Sequence, residues 1–157
     1  MSPQATVISI ETPLSEDMGA MIAELNEVLL TLSPPEACYH LSVQEMAGDA
    51  TTVFVARVDG DAAACGALHR HANGIAEVKR MYTRPAYQGQ GLGGKILERI
   101  VLLAQSEGFN SLVLETGDKH QAAWRIYERA GFNRCGPVLD YPDSPYSVFY
   151  SRPLAAS

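Results

Sequence analysis

What this chain of 157 residues lacks narrows its function early. No stretch approaches the roughly 18 uninterrupted apolar residues of a membrane-spanning helix, and Met1-Ser2-Pro3-Gln4 has neither the basic nor the apolar region of a signal peptide. A cytoplasmic protein with no membrane partner is the expectation. Cysteine is scarce: Cys38, Cys65 and Cys135 are odd in number and lack C-x-x-C spacing, which argues against a disulfide framework or a zinc cluster. Cys65, inside the strand-like run Ala63-Ala64-Cys65-Gly66-Ala67-Leu68, is expected to be a buried thiol rather than an acyl-carrying nucleophile. Basic residues are outnumbered, 12 against 18 acidic, and a formal net charge of −6 has the wrong sign for a nucleic-acid binder. His69-x-His71 sets two imidazoles on one side of a strand, but no third ligand stands at a metal-binding distance, so no metal is expected. There is no internal repeat or low-complexity tract. With 46% hydrophobic residues, residues 1–157 suit one compact domain.

What is present is a loop built almost without side chains. Gln88-Gly89-Gln90-Gly91-Leu92-Gly93-Gly94-Lys95 runs straight into an amphipathic helix, with Leu92, Ile96, Ile100 and Leu103 on one face and Gly108 as its stop. Glycines let the main chain adopt positive φ and approach a ligand, while the unpaired N–H groups of the first helical turn and the positive end of the helix dipole attract an anion. A phosphate or pyrophosphate is the expected guest. Read as Gly89-x4-Gly94-Lys95, the string is nearly a nucleotide-hydrolysing P-loop, but Ile96 stands where magnesium needs a Ser or Thr hydroxyl. Read as Gly89-x-Gly91-x-x-Gly94, with Glu115 downstream, it matches a dinucleotide fingerprint. That reading requires the loop to follow its strand at once, whereas Arg84 to Gln88 intervene and the strand from Glu77 to Tyr82 is too charged for a central parallel strand.

The surrounding elements read as a mixed sheet. Thr6 to Ile10 alternates as a first strand, and Met18, Met21, Ile22, Leu25, Leu29 and Leu32 fall at helical spacing before Ser33-Pro34-Pro35. Residues 36–50 read as polar and irregular. Thr52–Val58 and Ala62–Leu68 flank Asp59-Gly60 as a hairpin, and after Asn73-Gly74 the chain returns along Ile75–Thr83. Ser111–Glu115 reads as a buried strand reached through the glycine-loop helix, a βαβ crossover. Asp118-x-x-Gln121 has the form of a capping box before a helix from Ala122 to Ala130 that Gly131 ends; residues 138–147 read as a loop and Val148–Tyr150 as a last strand.

The third reading of the loop is Gln88-x-x-Gly91-x-Gly93. Together with Ile75-Ala76-Glu77-Val78 before it and Ile126-Tyr127-Glu128-Arg129-Ala130-Gly131-Phe132 after it, the run from Ile75 to Phe132 resembles the cofactor-binding core of the GCN5-related N-acetyltransferases (GNAT). The resemblance implies an α/β (α+β) fold with a mostly antiparallel central sheet, a βαβ crossover and helices on both faces. It also implies acetyl-CoA as co-substrate, held at its pyrophosphate by Gln88, Gly89, Gln90, Gly91, Leu92, Gly93 and Gly94 with Lys95 nearby, and along its pantetheine arm by Met81, Tyr82 and Thr83. Where relatives often carry an Asn touching the cofactor, this chain has His120. Relatives are often homodimers.

For catalysis the resemblance points to Glu77 as base, acting through water, and to Tyr127 as general acid near the cofactor sulfur; Glu115, at the end of a parallel strand, is the rival base. The chemistry needs such groups. An alkylamine of pKa near 10.4 is about 3.4 units from neutral at pH 7, a cost of roughly 4.6 kcal/mol, and a phenol near 10 facing a thiol near 8.5 favours a hydrogen bond to the thiolate over full proton donation. A small primary amine or amino-acid-like molecule is the expected acceptor, bordered by Glu36–Met46 and Asp140–Tyr146. A non-catalytic acyl-CoA-binding domain, a protein N-acetyltransferase and, more remotely, a dinucleotide-dependent oxidoreductase are the competing expectations.

Overall fold

The computed structural model describes residues 5–35 and 41–154; Cys38 and His40 lie outside them. Among the described residues seven strands form one sheet. In chain order the elements are β1 (Thr6–Ile10), α1 (Glu16–Leu32), α2 (Val43–Met46), β2 (Thr51–Val58), β3 (Asp61–Arg70), β4 (Ile75–Thr83), α3 (Leu92–Ser106), β5 (Ser111–Gly117), α4 (Gln121–Arg129), β6 (Asn133–Cys135) and β7 (Ser147–Pro153). The sheet order is β1-β2-β3-β4-β5-β7-β6, antiparallel except for the parallel pair β4–β5 that the α3 crossover joins. Among the described residues no helix is long and apolar enough to cross a membrane.

Alternation along the strands feeds two cores, one on each face. In β2, Val53 and Val55 pack under α1 and α2 with Met18, Met21, Ile22 and Met46, while Phe54, Ala56 and Val58 face the opposite way toward Ile96, Leu97 and Ile100 of α3. The buried residues of α1, Met18, Met21, Ile22 and Leu25, repeat at helical spacing, and Ser15 caps the helix by accepting from the Met18 N–H at 3.2 Å. Both tight turns carry their two central residues at positive φ, Asp59 and Gly60 in one, Asn73 and Gly74 in the other.

Three expectations fail for local reasons. Of the stretch 36–50 expected to be irregular, the described part from 41 on holds a helix, because Ser42 and Glu45 form a reciprocal capping box that nucleates α2 and buries Met46. Asp118 caps nothing: β5 continues to Gly117, the Asp118 N–H is spent on the Tyr146 carbonyl, and α4 starts after His120 with no side-chain cap. A seventh strand, β6, is only three residues long, too short for periodicity to reveal, and the last strand runs to Pro153 rather than stopping at Tyr150.

The feature that positions the site lies in β4. Its pairing with β3 shifts register between Cys65 and Ala67, and Arg80 there adopts φ 57°, a left-handed conformation that costs a non-glycine residue about 1–3 kcal/mol. Gly66 makes the bulge possible, since a Cβ on it would fall 2.8 Å from Ile96 Cγ2 and run into the Met81 sulfur. β4 and β5 part before the bulge is reached. They pair only from Ile75–Ser111 to Glu77–Val113, although β4 runs on to Thr83 and β5 to Gly117.

Candidate active site

A cleft of about 1020 Å³ is lined by Met81, Tyr82 and Thr83 of β4 together with residues of α1, α3 and α4, and the glycine loop borders it. Gly89 and Gly91 hold φ of 84° and 77°, and a Cβ on Gly89, Gly91 or Gly94 would meet nothing within 4 Å, so the main chain lies bare toward the cleft. Gly91 caps α3 without a side-chain bond, the first turn holds no acidic residue, and the first N–H to close back onto Gly91 is that of Lys95, at 3.1 Å. The N–H groups before it are therefore free for an anion. Gln88 anchors the loop by donating to the Thr83 carbonyl at 3.2 Å. Gly93 is small for packing: a Cβ would sit 3.3 Å from Ile126 Cδ1 of α4.

Of the residues expected to hold the cofactor, Met81, Tyr82, Thr83, Gln88, Gly89, Gly91, Leu92, Gly93, Gly94 and His120 line this cleft. Gln90 and Lys95 are exposed and do not. Arg84 is committed elsewhere, forking onto Glu24 at 3.0 and 3.2 Å and donating to the Ala62 carbonyl. Tyr82 donates to the same Glu24 at 3.0 Å, and burial with that partner pushes its phenol up to about 12.

A second, smaller cavity of about 120 Å³ continues the cleft on the α1 side. Glu77, Lys79, Arg80 and Glu115 all line it, and the two cavities share Leu25, Met81, His120, Ala123 and Tyr127. Glu77 is not on the strand surface but 3% exposed. Its Oε1 lies 2.9 Å from His71 Nε2, and its Oε2 accepts from the Tyr141 hydroxyl, which itself accepts from Lys79 at 2.7 Å. Lys79 stands 3.5 Å from the same carboxylate. Sequence reasoning missed His71 and Tyr141 as partners of Glu77; the only hints were the His69-x-His71 spacing and the Tyr-rich loop.

Glu115 accepts from Ser147 at 2.8 Å, and burial raises its carboxyl above the ordinary range. Tyr127, 7% exposed, packs against Phe132 and Tyr150, and its hydroxyl finds no hydrogen-bond partner among the described residues. Burial, with the Glu115 charge second, pushes its phenol well above the usual value. Cys65 is fully buried on β3 and pushed up to about 12 by desolvation, which leaves it no nucleophilic thiolate.

The arrangement is a backbone anion cradle leading past a buried tyrosine into a pocket lined by two carboxylates. The acetyltransferase (GNAT) family model matches residues 20–132. The chain belongs to the GNAT family. It is 35% identical over 148 residues to an IAA acetyltransferase of Azospirillum brasilense, covering 94% of this chain and 97% of that one. It is also 30% identical over 149 residues to the uncharacterized N-acetyltransferase YsnE of Bacillus subtilis (strain 168), covering 94% and 99%. Among solved structures, a Klebsiella pneumoniae protein named as an acyl-CoA N-acyltransferase superposes with a TM-score of 0.81 at 30% identity, over 96% of this chain and 98% of that one. This GNAT protein is an acyltransferase, and its mixed, mostly antiparallel sheet with helices on both faces is the family fold. His120, in place of the Asn expected from relatives, stands at the junction of the two cavities.

Proposed function

We propose that this protein is an acetyl-CoA-dependent N-acetyltransferase that passes acetyl directly from the thioester to the primary amine of a small, amino-acid-like acceptor. The observation that carries the reading is the junction at Tyr127, a residue common to the cleft that ends in the anion cradle and to the pocket that holds Glu77 and Glu115. A cofactor whose pyrophosphate sits on the first turn of α3 and whose arm runs along the open edge of β4 brings its thioester toward that junction. The Arg84 N–H is spent on Ala63, so strand alternation turns the Met81 N–H to the open edge, where it can stabilise the tetrahedral oxyanion. The Tyr127 hydroxyl supplies a hydrogen bond to the departing thiolate.

The acceptor class follows from charge and size. Glu77 and Glu115 favour a cationic amine, Lys79 and Arg80 on the same wall favour an anionic group, and a cavity of about 120 Å³ suits a small molecule better than a peptide. Thermal-shift measurements with acetyl-CoA and with NADH test the cofactor. At ~100 times its Kd, acetyl-CoA adds about 2.7 kcal/mol and should raise the midpoint by roughly 5–10 °C, with no shift from NADH. Thiol release with a panel of L-amino acids and plain alkylamines then tests the acceptor. No shift with acetyl-CoA in folded protein refutes the cofactor; turnover of alkylamines in preference to every amino acid refutes the acceptor class.

A further inference from the structure

We propose that His120 is a catalytic residue, a single-proton shuttle whose Nε2 takes the proton from the attacking amine nitrogen and delivers it to the cofactor sulfur. The proposal rests on the acetyl-transfer reading above and adds to it the route of the proton.

Three observations converge on this imidazole. Its Nε2 is buried yet has no hydrogen-bond partner among the described residues, although a buried polar atom left alone is costly. It lines both cavities, so one residue borders the cofactor side and the acceptor side. Its place is built: the ring fills the space that a side chain on Gly117 would take, where a Cβ would come within 2.8 Å of Nε2. The backbone fixes the residue at both ends, the His120 N–H donating to the Gly117 carbonyl at 3.2 Å and its carbonyl accepting from Trp124 at 3.1 Å.

The rival groups are less suited. Glu77 already has His71 on one oxygen and Tyr141 on the other, and Glu115 is held by Ser147. Tyr127, with its phenol pushed up, is a poorer acid toward a thiolate than it would be in water. Burial lowers the proton affinity of His120, with Asp118 opposing, so the ring begins neutral and its conjugate acid gives up a proton readily. The other charged or titratable groups on the walls of the two cavities are Lys119 beside it, Glu77, Lys79, Arg80 and Tyr82 from β4, Tyr87 from the loop, Glu98 from α3, Glu115 from β5, Tyr127 and Arg129 from α4 and Arg152 from β7. Asp118 is the carboxylate that favours the transient imidazolium.

The step balances without a further reactant. As the neutral amine forms its bond to the acetyl carbon, the nitrogen becomes acidic and its proton passes to Nε2. When the tetrahedral intermediate collapses, the carbon–sulfur bond breaks, its electron pair goes to sulfur, and the imidazolium returns the same proton to the thiolate. One N–H is lost, one S–H is gained, and His120 ends neutral. The route requires the tautomer with the proton on Nδ1.

The test compares wild type with His120→Asn, which keeps a hydrogen-bond donor but cannot relay a proton. With the best amine from the panel, kcat should fall by roughly 100-fold or more, while acetyl-CoA Kd by calorimetry stays within about threefold, which also shows that the variant folds. Wild-type kcat should decline on the acid side with a midpoint below the ordinary imidazole value, and the variant should lose that limb. Nitrogen NMR of the acetyl-CoA complex should show Nε2 unprotonated. A variant with kcat within about threefold of wild type, a loss carried wholly by cofactor Kd, or a protonated Nε2 in the neutral ring would overturn the proposal. Wild-type protein that binds acetyl-CoA but releases no thiol with any amine refutes the acetyl-transfer reading itself, and the shuttle with it.

Discussion

Replacing Gly94 by Ala should move stability and cofactor binding in opposite directions. Gly94 is the third residue of α3, is exposed, has ordinary helical φ, and offers a Cβ open space. Alanine there should therefore recover most of the helix-propensity difference, ~0.5–1 kcal/mol, with no clash to offset it. For a domain of this size that raises the midpoint by about 1–4 °C. The same methyl points into the cleft where a pyrophosphate would need bare backbone, so acetyl-CoA Kd should weaken by roughly tenfold or more, about 1.4 kcal/mol or above. Differential scanning fluorimetry without ligand and calorimetric titration with acetyl-CoA read the two effects separately. A lowered midpoint would refute the account of the helix start, and an unchanged Kd would refute the placement of the pyrophosphate.

Tyr127→Phe should lower kcat about 10- to 100-fold and leave acetyl-CoA Kd within threefold, because the hydroxyl has no structural bond to lose; steady-state kinetics with calorimetry checks it. Glu115→Gln should stabilise the protein at neutral pH. The folded carboxyl has a raised pKa, so the wild-type residue favours the folded state only at low pH and disfavours it once ionised; the gain in midpoint should shrink as pH falls into the acid range, and a gain that grows there would contradict the burial argument. Mass spectrometry of acid-quenched turnover mixtures should find no acetyl group on Cys65, whose thiol is pushed up to about 12; an acetylated Cys65 would refute direct transfer.

The loop from Gln88 to Gly94 was legible in the sequence because its shape is carried by backbone, and glycine announces backbone. Its helix, the two hairpins and the β4–α3–β5 crossover were legible from periodicity and turn dipeptides. Two S/D-x-x-E/Q patterns show the limit: Ser42-x-x-Glu45 is a true capping box, whereas Asp118-x-x-Gln121 is not, because strand pairing reaches Gly117 and ties up the next N–H. Glu77 was legible as a candidate, but not its environment, since Tyr141 reaches it from 64 residues away. Nothing in the Val78-Lys79-Arg80-Met81 string signals that Arg80 bends backward.

That bend sets a parity. Ahead of it, Ala76 and Val78 face α3 while Glu77 and Lys79 face the small pocket; after it, odd-numbered Met81 joins the α3 core and even-numbered Tyr82 turns to the α1 side. The two halves of β4 therefore keep independent phase, one lining the small pocket and the other the larger cleft. Losing a single residue at the bulge would leave every side chain chemically intact and send Met81 and Tyr82 each to the wrong face of the sheet.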